Sequence, residues 1–262
     1  MQALSKTLTT LAVTLALAAT AQAQIALNAA NGVNGTPAIG DAPGWPITIA
    51  VPGHYWLTSN LILDGSSTAI HIVTPGVTLD LNGHTIRGPA SCSVQNGQVS
   101  CASVVNQNTW GILSASDHTV IRNGRVRGFG AGGIQVKSGI VENVQVESNS
   151  GPGIQIGVSP GLQASRVSGV TATLNNFAGV FTRNALIERA VLSKNAYGVS
   201  GYRYSLLDSL VVDNTIGGVW DNAPNPAHHA AIRGTVLHSN TGPSIIGTVH
   251  SLGGNLVDGV AY

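Results

Sequence analysis

The chain has 262 residues, 12 basic and 11 acidic, for a formal net charge of +1, and only 9% of it is charged, against about 25% in an ordinary soluble protein. Setting aside Lys6, which lies in the N-terminal segment, leaves 11 residues of each sign. So neutral a surface argues against nucleic acid as a partner, because phosphate is bound by basic patches; it is compatible with sugars, which are held by hydrogen bonds and aromatic faces.

Residues 1–23 read as a cleavable secretory signal. Lys6 supplies the positive start, residues 8–19 are almost wholly apolar, and Ala21-Gln22-Ala23 is a small-x-small cleavage site. The apolar run is shorter than the roughly 20 residues a membrane span needs, and no later segment is long enough, so no membrane anchor is expected. The mature chain, from near Gln24, is then periplasmic or extracellular. Residues 24–50, rich in Asn, Gly, Ala and Pro, predict an irregular lead-in, and residues 51–262 the main domain. Short strands follow from Pro52, among them Ala69-Ile70-His71-Ile72-Val73 and Val77-Thr78-Leu79-Asp80, each ended by a turn signal. Cys92 and Cys101, the only cysteines, bracket eight small or polar residues. They predict a disulfide closing an inserted loop, as the oxidising side of a membrane permits. Two thiols alone make no zinc site, which asks for four ligands.

From residue 111 a repeat of roughly twenty residues takes over. Its copies open at Gly111-Ile112, Gly133-Ile134, Gly153-Ile154, Gly179-Val180, Gly198-Val199, Gly218-Val219 and Ser244-Ile245, with gaps of 22, 20, 26, 19, 20 and 26 residues. A fixed period of this size without helical periodicity predicts a solenoid of parallel strands. Alternation within a copy sends Ile134 and Val136 inward and Gln135 outward. Asn149, Asn175, Asn195, Asn214 and Asn240 recur at nearly the same place and predict an inward amide ladder that satisfies turn carbonyls. The fold class expected is all-β, a single-stranded, right-handed parallel β-helix. A last coil left uncapped after Gly247 would expose an edge for pairing; the oligomeric state stays open.

Asp80-Leu81-Asn82-Gly83-His84-Thr85-Ile86-Arg87-Gly88 and Val120-Ile121-Arg122-Asn123-Gly124-Arg125-Val126-Arg127-Gly128-Phe129-Gly130 resemble the opening of secreted right-handed parallel β-helix proteins, the pectate lyase-like superfamily. The superfamily also holds periplasmic accessory proteins of copper enzymes. The resemblance spans residues 50–262 and implies the fold; no catalytic residue carries over from it. Calcium, held by clustered acids, serves many lyases of this kind, but no acidic cluster beyond Asp221 accompanies the candidate face, so no cofactor is expected. Copper would call for soft Met or Cys ligands, and the sole Met is the first residue, so no metal site is expected.

Stacking the copies sorts the outward residues into columns. Leu113, Gln135, Gln155, Phe181, Ser200 and Trp220 form one; Ala115, Lys137, Gly157, Arg183, Tyr202 and Asn222 form the next. Their amides, cations and rings suit a polysaccharide, with Gln135, Gln155, Phe181, Tyr202 and Trp220 as candidate binding residues. Long loops at 157–165 and 221–231 would wall this face. If the face is catalytic, Lys137 or Arg183 is the candidate base for removing a proton beside a uronate carboxylate. A second column, Arg122, Glu142, Ser168, Glu188, Asp208 and Arg233, predicts Glu188 and Asp208 as neighbours about one strand spacing apart, either a hydrolase acid pair or ion-paired to Arg189 and Arg233. A third, Arg127, Glu147, Thr173, Ser193, Asp213 and His238, alternates in charge as cross-strand pairs do. The adjacent pair His228-His229 would point apart on an extended loop. The functional expectation is a secreted β-helix that binds, and as a lyase or hydrolase would cleave, a polysaccharide. The alternative is a non-catalytic structural or surface-interaction rod.

Overall fold

The computed structural model describes residues 24–157 and 165–262; the expected signal segment and most of the 157–165 loop lie outside the described residues. The chain winds into a parallel β-solenoid of about nine turns. One face is a nine-stranded parallel sheet running Ile47–Ile49, Ile70–Ile72, Trp110–Ser114, Gly132–Val136, Ile154–Ile156, Ala178–Thr182, Tyr197–Gly201, Gly217–Asp221 and Ile245–Ile246. The other two faces are joined into one sheet because two strands, Thr119–Arg127 and Gly139–Glu147, run through the corner between them.

Each face contributes an inward column of aliphatic side chains that is fully buried. On the nine-stranded face these are Ile70, Ile112, Ile134, Ile154, Val180, Val199 and Val219. The second column is Leu79, Ile121, Val141, Val167, Ile187, Leu206 and Ile232, and the third Ile86, Val126, Val146, Ala172, Leu192, Val211 and Leu237. Buried aliphatic side chains contribute about 1.5–3 kcal/mol each, so every added coil brings its own three-residue layer of core.

The corners explain the polar pattern. At the first, one residue per coil takes a left-handed conformation: Asn82, Asn123, Asn143, Gly169, Arg189, Asp208 and Gly234, with φ between 48° and 62°. Asn, Asp and Gly tolerate that region best. At the second corner Ser148, Leu174, Lys194, Asp213 and Ser239 do the same, with φ of 54–56°. Immediately after it come the five ladder asparagines. Each amide donates to the next, Asn149 to Asn175 at 2.9 Å, Asn175 to Asn195 at 2.9 Å, Asn195 to Asn214 at 3.2 Å and Asn214 to Asn240 at 3.0 Å. Four of them also donate to a carbonyl, those of Val146, Ala172, Leu192 and Val211; these acceptors lie in strands, where the repeat predicts turn carbonyls.

The left-handed corners correct two expected columns. Glu188 pairs in register with Leu207, not Asp208, and Ser193 with Val212, not Asp213. Asp208 and Asp213 each sit one residue further on, in the corner itself. The third column keeps its charge alternation only at Arg127–Glu147, a 3.0 Å ion pair.

The lead-in is more ordered than composition suggests. Ile25–Leu27 pairs with Gly53–Leu57, Ile47–Ile49 opens the nine-stranded face, and a short helix, Ala29–Asn34, is capped by Asn28. A Cβ on Gly32 would stand 2.6 Å from the Trp45 ring, so glycine there lets the helix sit on the indole. The cysteine loop is an antiparallel hairpin, Ser91–Gln95 with Gln98–Ala102, turned by Asn96-Gly97 at φ 51° and 77°, the pair favoured for a tight hairpin turn. Cys92 and Cys101 face each other across it and form the expected disulfide. At the other end Val260–Ala261 folds back antiparallel on Leu256–Val257 and covers that strand's edge. Among the described residues no helix is long and apolar enough to cross a membrane.

Candidate functional site

The outward column of the nine-stranded face falls in register as expected: Leu113, Gln135, Gln155, Phe181, Ser200 and Trp220 are successive cross-strand partners. It extends beyond the repeat, to His71 and Thr48 on one side and Ile246 on the other. Parallel strands are about 4.8 Å apart, so these side chains form a row along the solenoid axis.

Two further aromatics join this row. Phe177 lies 5.7 Å from Phe181 and 6.0 Å from Tyr197, both edge-on, and Tyr197 lies 4.9 Å from Trp220 at a tilt of 34°. Phe181, Phe177, Tyr197 and Trp220 thus form a continuous aromatic strip over three coils, each ring half-exposed. Phe177 and Tyr197 were missed because they precede the repeat's glycine. Their signal is an aromatic one or two residues ahead of Gly179 and Gly198. Under the strip, Ser200 points outward yet is fully buried, and its hydroxyl has no hydrogen-bond partner among the described residues.

The cations behave differently from one another. Lys137 Nζ sits 2.8 Å from Asp117, whose other oxygen accepts from the Ser138 hydroxyl at 2.7 Å. The Lys137 contact, then that of Ser138, holds the Asp117 carboxyl below its ordinary range. Asp117 was missed because it stands in the turn before a strand, outside the alternation. Arg183 is exposed and has no described partner. Tyr202 lies further along the second column and stacks on His228 at 6.2 Å and 20°; His228 also contacts Arg203.

His229 turns the other way, as adjacent loop residues should, and its Nδ1 lies 2.6 Å from Asp221. Asp221 points into the core and also accepts from the backbone N–H groups of Ala223 and Ala230 at 3.1 and 3.3 Å. It thereby fastens both ends of the 222–229 loop beside the aromatic strip. The Tyr204 hydroxyl is buried near it with no hydrogen-bond partner among the described residues, and burial, then the Asp221 charge, pushes that phenol well above its ordinary range.

The proposed acid pair is not assembled. Glu188 is ion-paired to Arg166 and lies 3.3 Å from Arg189; the Arg166 hydrogen bond first, and both positive charges, hold its carboxyl below its ordinary value. Asp208 lies at the corner, out of register with Glu188. Arg189 is a neutraliser as expected, while Arg166, the main partner, was not foreseen. Among the described residues no three His, Cys, Asp or Glu side chains are grouped to hold a metal ion.

No protein-family model and no curated protein matches this chain. Among solved structures it is similar to the A-module of mannuronan C-5 epimerase AlgE4 from Azotobacter vinelandii, at 12% identity over 88% of this chain and 83% of that one, with a TM-score of 0.44.

Proposed function

We propose that this protein is a secreted polysaccharide-binding β-helix whose glycan lies along the nine-stranded face. One observation carries the reading: the registered outward row passes from the amides of Gln135 and Gln155 into the aromatic strip of Phe181, Tyr197 and Trp220. Half-exposed rings cover the apolar faces of sugars, and amides spaced by one strand take hydroxyls from successive residues. The signal-like N-terminus and the disulfide support export. Tyr202 and the 222–229 loop, anchored by Asp221, wall one side of the row.

Binding is better supported than cleavage. Lys137 is engaged by Asp117, Glu188 by two arginines, and the cross-strand neighbours of Glu188 are Ser168 and Leu207. A cleaving version would rest on Arg183 as the base. Its test is absorbance from unsaturated uronate on pectate or alginate, and silence on both would remove it.

For binding, the test is retention on a panel of immobilised polysaccharides. Trp220→Ala should weaken retention about 5- to 30-fold, the equivalent of about 1–2 kcal/mol of lost ring contact. Equal retention of wild type and variant on every polymer would leave a rod with no glycan function.

A further inference from the structure

Ser200 is the anomaly of the aromatic strip. The other members of the outward row are all partly exposed, whereas Ser200 is fully buried and its hydroxyl has no partner among the described residues. Leaving such a group unpaired is costly in general, and an alanine would fill the same space. Phe181 and Trp220 are its cross-strand partners on either side, two strand spacings or about 9.6 Å apart at the backbone. A ring stacked between two others needs about 3.5–4.0 Å on each face, or about 7–8 Å.

We infer that Ser200 is the floor of a subsite for one neutral pyranose residue, closed in this structure by the rings of Phe181, Tyr197 and Trp220. The inference rests on the glycan-binding reading of this face and names the sugar class it takes. Half-exposed side chains change rotamer quickly. When a sugar ring enters, the Tyr197–Trp220 contact at 4.9 Å is exchanged for ring–sugar contacts of similar apolar area, so opening costs little. The gain is a hydrogen bond from a sugar hydroxyl to a serine that otherwise has none. The side chains that line it are uncharged: Gln155, Phe181, Ser200 and Trp220. Lys137, three coils away, is neutralised by Asp117, and Arg183, two residues beyond Phe181 in the next column, is exposed. A uronate carboxylate turned down onto the Ser200 floor, beneath the rings and away from exposed Arg183, would be buried without a charged partner, which is strongly disfavoured. The occupant is therefore a neutral hexose unit.

Calorimetric titration of the whole protein with a β-1,4-linked glucose hexamer and a galacturonate hexamer, together with thermal melts, tests this. Ser200→Ala should weaken binding of the glucose hexamer about fivefold, as loss of one hydrogen bond does, without lowering the melting temperature. Unchanged affinity overturns the subsite, as does a melting temperature lowered by several degrees, which would mean the hydroxyl is used inside the fold. Binding of the galacturonate hexamer alone, weakened by Trp220→Ala, overturns the neutral occupant but leaves the glycan-binding face intact. Failure of Trp220→Ala to alter binding of either hexamer removes both readings.

Discussion

Truncating Asn195 to alanine takes out the middle rung of the amide ladder, and the structure sets the size of the effect. Its Oδ1 accepts from the backbone N–H and side-chain amide of Asn175 at 3.0 and 2.9 Å. Its Nδ2 donates to the Ala172 carbonyl at 3.0 Å and to Asn214 Oδ1 at 3.2 Å. Four buried hydrogen bonds disappear, and the Asn175 N–H is left without its acceptor. At a net value of about 1 kcal/mol per bond, Asn195→Ala should cost about 4 kcal/mol. Asn149, at the ladder's end, makes only two side-chain bonds, accepting from the Phe129 N–H at 3.1 Å and donating to Asn175 at 2.9 Å, so Asn149→Ala should cost about 2 kcal/mol. Guanidinium unfolding of the two variants beside wild type gives the ratio, with unchanged slopes confirming that the native state alone is affected. Equal losses at the two positions, or less than about 1 kcal/mol at Asn195, would refute a ladder that works as a stack of bonds.

The corner assignment of Asp208 predicts that Asp208→Asn is tolerated, whereas Asp208→Val costs about 1–2 kcal/mol because a β-branched residue resists the left-handed region; chemical denaturation checks both. Glu188 has a folded-state pKa depressed by Arg166, so its contribution is complete above the unfolded value of about 4.3 and is lost as pH falls through the lower folded value. Glu188→Gln should therefore be less stable than wild type at neutral pH, by at most about 1 kcal/mol for a pair this near the surface, and melts at successively lower pH should bring the two together. A constant difference across that range would contradict the pairing. Raising salt should shrink the neutral-pH difference as well.

Much of this architecture is legible in the sequence because each coil repeats the same physical problem. The aliphatic positions recur at the repeat period, and the ladder asparagines are visible because a buried amide is retained only where it satisfies its neighbours. Register at the corners is harder to read. In Leu206-Leu207-Asp208 the alternation offers the charged residue as the outward one, yet Asp208 is tolerated in the corner and Leu207 takes the strand position opposite Glu188. Val212 likewise takes the strand position opposite Ser193, and Asp213 sits in the corner. The amide and aromatic row of the candidate site was readable for the same reason as the core. Its closure over Ser200 was not, since Phe177 and Tyr197 lie where glycines break the strand alternation. The Lys137–Asp117 and Asp221–His229 contacts join residues 20 and 8 positions apart through turns, beyond the reach of strand periodicity.

The central claim, that a glycan lies on the nine-stranded face, is tested most directly by affinity electrophoresis through gels containing a neutral polysaccharide, comparing variants on opposite faces. Phe181→Ala/Trp220→Ala should abolish the retardation of wild type, while Arg125→Ala/Gln145→Ala, which breaks a hydrogen-bonded pair at 2.6 Å on another face, should migrate with wild type. Retardation lost equally in both variants, or kept in both, would contradict it.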